Sequence, residues 1–165
     1  MSSPLTFGIG EVSCKGYSKE PSLLERIGKM WIEYLPHTAD IRMKIRGKTL
    51  EALFCNGIRG MGNILKEGFC VGQEAFDLSL TIEVSSTDTT CLLIDLLSEV
   101  LSVTYIENAI FCNADFLRMD ADRTSVELYG NYVESFDEEI KAVTYHEADV
   151  YKKDGLWESM VVFDI

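Results

Sequence analysis

The chain has 165 residues and a mass of 18.6 kDa, the size of one domain that can bury a sizeable hydrophobic core. Its apolar fraction of 47% and charged fraction of 25% are typical of globular proteins and exclude wholesale disorder. Twenty-seven acidic and 15 basic residues give a net charge of −12, which disfavours autonomous binding to nucleic acid. Such a surface suits a basic partner or a hard cation held by carboxylates, although solubility alone also explains it.

Neither a membrane segment nor a secretory signal is predicted. No run of about 18 consecutive apolar residues is present, and residues 1–16 lack a basic segment followed by an apolar one. The five cysteines, at positions 14, 55, 70, 91 and 112, are at least 15 residues apart and therefore form no Cys-x-x-Cys motif. We expect reduced core thiols in a cytoplasmic protein.

Residues 1–30 are predicted to form an extension ahead of the domain. They hold two of the three prolines and show no clean periodicity, apart from a short helix predicted over Ser22–Gly28. The pattern then sharpens. Trp31–Leu35 is predicted to be a strand, and apolar residues alternate with basic ones over 41–46, which predicts a second strand.

Two helices with a strand between them follow. Thr49 is a candidate N-cap, and the apolar residues over 50–65 fall at helical spacing. Apolar and polar residues alternate without a fault over 76–84, which predicts a half-buried strand. Asp88 is the candidate cap of a longer helix, whose apolar residues over 92–101 line one face.

The remainder of the chain reads as strands only. Lys153-Asp154-Gly155 is predicted to be the hairpin turn that joins the last two of them. Consecutive strands with few crossover helices predict an α+β domain of two layers, a mostly antiparallel sheet with two helices packed on one face. The predicted strands are Ile110–Leu117, Ser125–Tyr132, Glu139–Tyr151 and Trp157–Asp164.

The common catalytic motifs are missing. The sequence contains no GxxxxGK[ST] phosphate loop, no GxGxxG after a strand, no HExxH and no GxSxG. Neither histidine has a cysteine near it in the sequence, so a Cys–His nucleophile is not predicted.

Four short elements at opposite ends of the domain carry most of the remaining information. The first end has HTAD at 37–40 and GKTLE at 47–51, and the second has KAVTYH at 141–146 and VVFDI at 161–165. Together and in this order they closely resemble the archease family. The resemblance covers 31–165 and does not include the extension.

The resemblance implies a function. Archeases are small accessory proteins of RtcB, the GTP-dependent RNA ligase that joins tRNA halves in tRNA splicing. They promote guanylylation of the ligase active-site histidine and multiple turnover, and they are not enzymes themselves. Neither strong nucleic-acid binding nor membrane association is expected of this chain.

The resemblance also implies a divalent-metal site, usually occupied by calcium. Its ligands fall on Asp40, on Asp164 and on the backbone or terminal carboxylate of Ile165. Hard cations bind several oxygen ligands, and three such anions held together without a cation would repel one another. Without the resemblance, Asp40 would be interpreted as a turn or capping residue and Asp164 as a solvated acid.

Further positions have two interpretations each. Glu51 extends an acidic patch presented to the ligase, or it stabilises the positive end of the helix dipole. Ala52 replaces the family's usual second acidic residue, so a reciprocal capping box is absent. Lys141 contacts the partner or neutralises the acidic cluster, or it faces water as an ordinary strand lysine. His37 and His146 are functional candidates, although neutral structural histidines are the simpler interpretation.

Two other functions stay open. The main alternative is a stand-alone metal-dependent hydrolase with Asp40 and Asp164 as ligands and His37 or His146 as the base. A general chaperone would need an exposed apolar face, which the pattern does not predict.

Overall fold

The computed structural model describes residues 6–7, 31–36 and 39–165. The helix predicted over Ser22–Gly28 lies outside the described residues, as does most of the predicted extension. In chain order the described elements are β1 (Thr6–Phe7), β2 (Ile32–Pro36), β3 (Asp40–Gly47), α1 (Leu50–Leu65), β4 (Leu78–Ser85), α2 (Thr89–Glu107), β5 (Ala109–Met119), β6 (Arg123–Tyr132), β7 (Ala142–Thr144), β8 (Tyr151–Lys153) and β9 (Leu156–Asp164).

The strands of the described ranges form two antiparallel sheets. The larger has the order β1-β2-β3-β9-β7, and β8 pairs with the same edge of β9 as β7 does. The smaller has the order β4-β6-β5. The predicted α+β class with antiparallel pairing is confirmed, and its strands divide between two sheets rather than joining in one.

Helix α1 packs against both sheets. On the side of the larger sheet, the Tyr34 hydroxyl of β2 donates a hydrogen bond to the Gly60 main-chain oxygen at 2.7 Å. On the side of the smaller sheet, Arg59 Nη1 donates to the Cys112 main-chain oxygen of β5 at 3.0 Å. Since α1 meets a sheet on two sides, three quarters of its residues are buried and the sheets share one core.

Both helices begin where the sequence predicts. The Ala52 amide donates to the Thr49 hydroxyl at 3.1 Å, and the Cys91 amide donates to the Asp88 carboxylate at 2.8 Å. These side chains satisfy amide groups that a helix start leaves without a partner. Helix α2 ends at Asn108, which adopts the left-handed conformation with φ of 51°.

By length and composition alone, α2 could cross a membrane. Its 19 residues have a mean hydropathy of 1.5 over the most apolar window, of which 44% is buried inside the fold. A core helix passes the same test, and α2 contributes to the core the buried side chains of Leu92, Leu93, Ile94, Leu96, Leu97, Val100 and Leu101.

The strand predicted over Glu139–Tyr151 is wrong as a single element. The chain forms the two short strands β7 and β8 with a turn between them. Glu147 has φ of 59°, which is incompatible with an extended strand, and the Ala148 amide donates back to the Tyr145 main-chain oxygen at 3.1 Å. The alternation that suggested a continuous strand therefore includes a turn whose residues are mostly exposed.

The predicted hairpin between the last two strands is confirmed. Asp154 and Gly155 have φ of 52° and 77°, so two consecutive residues are left-handed. This is the two-residue turn whose twist matches that of the strands it joins, and glycine adopts it without steric cost.

The prediction of reduced cysteines is wrong for Cys55, Cys70 and Cys112, which are disulfide-bonded, the last two to each other. The turn after α1 brings Cys70 to a bulge of β5, where the register shifts between Phe111 and Asn113, and the two Cα atoms are 5.3 Å apart. At a sequence separation of 42, Cys70 and Cys112 could not be paired by any spacing rule. Cys91 is a partly exposed free thiol.

Gly47 provides a test of how closely β3 and α1 approach. A Cβ atom there would contact the backbone nitrogen of Leu53 and lie 2.8 Å from its Cα, so backbone would have to move. We expect Gly47→Ala to lower the free energy of unfolding by about 1–3 kcal/mol. The measurement is urea-induced unfolding.

Gly57→Ala is the matched control. Its nearest neighbours are the side-chain methyl groups of Ile45 and Leu97 at 3.4 Å, an ordinary contact distance. Because alanine is a better helix former by about 1 kcal/mol, this variant should be as stable as the native chain or more so. Equal losses in the two variants would contradict the proposed close approach.

Candidate metal and partner site

The two predicted carboxylates lie side by side. Asp40 begins β3, Asp164 ends β9, and the two residues are direct partners in the antiparallel register. On its other side Asp164 is paired with Ala142 of β7. Residues directly opposite each other share a face of the sheet, with Cβ atoms about 4.5–5.5 Å apart. The fold therefore brings together two aspartates that come from opposite ends of the domain.

The end of β9 is held in place on its β7 side. The Lys141 amide donates to the Asp164 main-chain oxygen at 2.7 Å, and the half-buried Ile165 side chain packs against the core. The Asp164 side chain is exposed and Asp40 is half-buried. The carboxylate pair thus lies on a fixed backbone, with one member open to solvent.

The donor set fits a hard cation only if main-chain or terminal oxygen takes part. Within residues 31–36 and 39–165, no three His, Cys, Asp or Glu side chains are grouped so that they could hold a metal ion. Asp40 and Asp164 supply two carboxylates, and Ile165 follows directly on the chain. An oxygen-only set suits calcium, which accepts carboxylate, carbonyl and water ligands in flexible geometry.

Basic side chains occupy the same face of β3 beyond Asp40. Arg42 Nη2 is 2.7 Å from the carboxylate of Glu147, and Arg46 Nε is 2.6 Å from that of Glu158. Burial opposes ionisation of Glu158, yet the hydrogen bond and the positive charge of Arg46 hold the pKa of this carboxyl group below its ordinary value. These ion pairs neutralise two of the basic side chains on this face of β3.

The structure separates Glu51 from the carboxylate pair. Glu51 is exposed in the first turn of α1, just past the end of β3, whereas Asp40 is at the start of that strand. The eight residues of β3 span roughly 23 Å at about 3.3 Å per residue. Any contact made by Glu51 therefore belongs to a different part of the surface.

The structure describes the position of the predicted lysine and of one of the two predicted histidines. Lys141 is exposed directly before β7, next to Asp164 through its main chain. His146 is exposed in the turn after β7 rather than within a strand. His37 lies outside the described residues, so its interpretation stays a prediction.

A cavity of about 240 Å³ opens between β3 and the end of α1. Tyr34, Ile41 and Ile64 are among its lining residues, and burial raises the pKa of the Tyr34 hydroxyl above its ordinary value. Three further lining residues are acidic: Glu67, Asp137 and Glu138. Ile41 follows Asp40 on β3, and successive strand residues point to opposite faces, so this acidic cavity and the carboxylate pair lie on opposite faces of the sheet.

The sequence did not predict the side-chain contacts of the turn between β7 and β8. The Tyr145 hydroxyl bonds to the Asp95 carboxylate on α2, and Glu147 pairs with Arg42. The available signal was an aspartate between the apolar residues Ile94 and Leu96 of the helix. The sequence could not identify Tyr145 as the partner of Asp95, because the two residues are 50 positions apart.

The carboxylate pair can be tested without any metal. Like charges directly opposite each other on a sheet are destabilising, so Asp164→Asn should raise the free energy of unfolding by about 0.2–1 kcal/mol in the presence of EDTA. Urea unfolding at low salt measures it, with Asp149→Asn as the control because Asp149 is exposed and lies outside the strands. A destabilised Asp164→Asn protein would contradict mutual repulsion in the pair.

Comparison with known sequences finds matches over nearly the whole described chain. The sequence model of the Archease protein family matches residues 32–165. Protein archease of Methanosarcina mazei is 33% identical over 141 residues, which cover 81% of this chain and 94% of that protein. Protein archease of Pyrococcus furiosus is 32% identical over 159 residues, covering 83% and 99%. A protein named archease-like from Dictyostelium discoideum is 31% identical over 139 residues, covering 81% and 92%.

Solved structures are also similar. The solution structure of protein 1598 of Methanobacterium thermoautotrophicum superposes with a TM-score of 0.67 at 25% identity, covering 82% of this chain and 99% of that one. The crystal structure of a Thermotoga maritima archease, described as a possible chaperone, gives a TM-score of 0.54 at 21% identity, covering 79% and 94%. The second match concerns the fold alone.

Proposed function

Because this chain belongs to the archease family, we propose that it is an accessory protein that activates an RtcB-type RNA ligase in tRNA splicing. In this proposal it promotes guanylylation of the ligase and its multiple turnover. The observation that carries the proposal is the family match over 32–165, which includes both members of the carboxylate pair.

A non-catalytic role is supported by what the sequence lacks. The chain has neither of the common nucleotide-binding glycine motifs and no recognisable nucleophile motif. A possible chaperone, as the Thermotoga maritima archease is described, also acts on another protein. Both descriptions require a surface that contacts a partner, and the part of the molecule around Asp40 and Asp164 is our candidate.

We propose that Asp40 and Asp164 bind a divalent cation, calcium by preference, with an oxygen of Ile165 as a further ligand. When bound, the cation would neutralise the two opposed carboxylates. Asp40 contributes from β3 and Asp164 from β9, so the bound ion would also join the ends of two neighbouring strands.

The partner is proposed to present a basic surface. The net charge of −12 and the acidic cavity lined by Glu67, Asp137 and Glu138 suit such a partner. Lys141 and the Arg42–Glu147 pair border the carboxylates and are part of the proposed contact surface. Salt should weaken the association, because the Debye length falls from about 10 Å at 0.1 M to about 3 Å at 1 M.

The functional test is ligation at limiting ligase. With GTP and metal in excess, a small amount of this protein should raise the fraction of guanylylated cognate ligase and the number of turnovers. The protein alone should neither hydrolyse GTP nor join RNA. Equal ligation with and without it would reject the proposal, and metal-dependent hydrolysis by the purified protein alone would instead support the hydrolase alternative.

The metal is tested by thermal unfolding with and without calcium. At about 100 times its dissociation constant, calcium should stabilise the native chain by roughly 2.7 kcal/mol. For a domain of this size that corresponds to an increase in Tm of roughly 5–10 °C. Asp40→Asn and Asp164→Asn should each lose most of the increase, because each removes one charged ligand.

Glu51→Gln is the matched control, since it removes an exposed acid at the other end of β3. It should keep the full calcium response. A response that is equal in all four proteins, or absent from all four, would contradict the proposed site.

A further inference from the structure

The turn between β7 and β8, residues 145–150, is close to the carboxylate pair. It begins three residues after Ala142, which is paired with Asp164, so it starts roughly 10 Å along the strand from that pair. The preceding strand is fixed to β9 by the Thr144 hydroxyl, which donates to the Val162 main-chain oxygen at 3.0 Å. We call residues 145–150 the β7–β8 turn.

Helix α2 holds both ends of the β7–β8 turn. At its start, the Tyr145 hydroxyl donates to one oxygen of the Asp95 carboxylate, and the Ser86 hydroxyl donates to the other at 2.5 Å. At its end, the Val150 amide donates to the Thr90 hydroxyl oxygen at 3.0 Å. The hydrogen bond to Asp95 raises the pKa of Tyr145 to about 12, because it favours the protonated hydroxyl.

Strand β3 holds the middle of the turn. Glu147 forms an ion pair with Arg42, which lies two residues beyond Asp40 and on the same face of β3. Glu147 has φ of 59°, a left-handed conformation that costs a residue with a side chain about 1 kcal/mol. Such conformations persist where surrounding contacts hold them and are concentrated at functional sites.

The outer surface of this firmly held turn is nevertheless uncovered. The Tyr145 side chain is 57% exposed although its hydroxyl is bonded, and His146 and Glu147 are exposed beside it. A tyrosine ring that is already fixed loses little conformational entropy on binding. Tyrosine is also among the residues that dominate the free energy of protein–protein association.

We propose that the β7–β8 turn is a preformed contact surface for the ligase, with the Tyr145 ring as its anchor and Asp95 as the positioning residue that holds the ring. The inference rests on the proposed function, because it names the surface through which that partner is bound. Its continuity with the carboxylate pair, through the Arg42–Glu147 ion pair and through β7, supports this choice of occupant. A nucleic acid stacking on the ring is the competing occupant.

The first experiment measures the affinity of the intact protein for the cognate ligase, without RNA, by titration calorimetry. Tyr145→Ala should bind about tenfold or more weakly, a loss of at least about 1.4 kcal/mol, as expected for a truncated anchor. Tyr132→Ala is the matched control: Tyr132 is 54% exposed and ends β6 in the other sheet. It should bind within about threefold of the native protein.

A second series tests the positioning role of Asp95. Asp95→Ala and Tyr145→Phe should each weaken ligase binding about threefold to tenfold, and the double variant should be no weaker than the weaker single variant. Asp95→Asn keeps an acceptor for Tyr145 and should restore most of the affinity. In Asp95→Asn, ultraviolet titration should show the Tyr145 pKa falling from about 12 towards its ordinary value near 10.

The outcomes separate the alternatives. A merely structural role would lower Tm and the calcium response of these variants together with binding, whereas we expect the calcium response to be unchanged. Native affinity in Tyr145→Ala would overturn the inference. Loss of ligation with native ligase affinity would also overturn it and identify RNA as the occupant. If the native protein itself fails to bind or stimulate the ligase, the proposed function fails and this inference fails with it.

Discussion

The pairing of β3 with β9 is the interaction on which the rest of the larger sheet depends. It extends over eight register positions, from Asp40 opposite Asp164 to Gly47 opposite Trp157. The inward partners, such as Met43 and Val161, are fully buried in the core. The outward partners include the opposed aspartates and the Arg46–Glu158 ion pair. A single antiparallel ladder therefore produces both the packing and the site, because successive residues point to opposite faces.

Helix α1 carries a buried arginine, which makes a hydrogen bond in the core between the two sheets. Arg59 is 4% exposed on α1, and burial lowers its pKa to about 10. Its guanidinium donates to the main-chain oxygen of Cys112, where β5 departs from regular register. A bulge interrupts ladder hydrogen bonding, so a long side chain that reaches its carbonyl oxygen is useful there. The same bulge carries the disulfide to Cys70, which ties the turn after α1 to the sheet.

Much of the fold could be predicted from local patterns. Both helices, their caps Thr49 and Asp88 and the hairpin at Asp154-Gly155 follow from residue types that act over a few positions. Two features that depend on distant partners could not be predicted. The break in the Glu139–Tyr151 strand is stabilised by contacts with α2 and β3, and the disulfide requires a bulge that no periodicity signals.

The candidate site, too, could be predicted only in part from the sequence. Composition indicated only that carboxylates could hold a cation, and the resemblance to archeases selected Asp40, Asp164 and Ile165. The register supports this selection for the two aspartates, since it makes them direct partners. The resemblance also selected Glu51, as an extension of the acidic patch, but the length of β3 separates Glu51 from the two aspartates. The role of Asp95 could not be predicted, because an acidic residue on a helix has many explanations until its partner is known.

The order of strands has a consequence for the chain while it is being synthesised. The smaller sheet is built from β4, β5 and β6, which lie together in the sequence and can pair early. Strand β9, the pairing partner of β3, is synthesised more than 100 residues after it. Until then, one edge of β3 has no strand to pair with. Three basic residues of β3, Arg42, Lys44 and Arg46, alternate with apolar ones along this unpaired strand. Their like charges discourage nascent chains from pairing with one another. The basic residues of β3, of which Arg42 borders the site in the finished protein, would thus protect its unfinished form from aggregation.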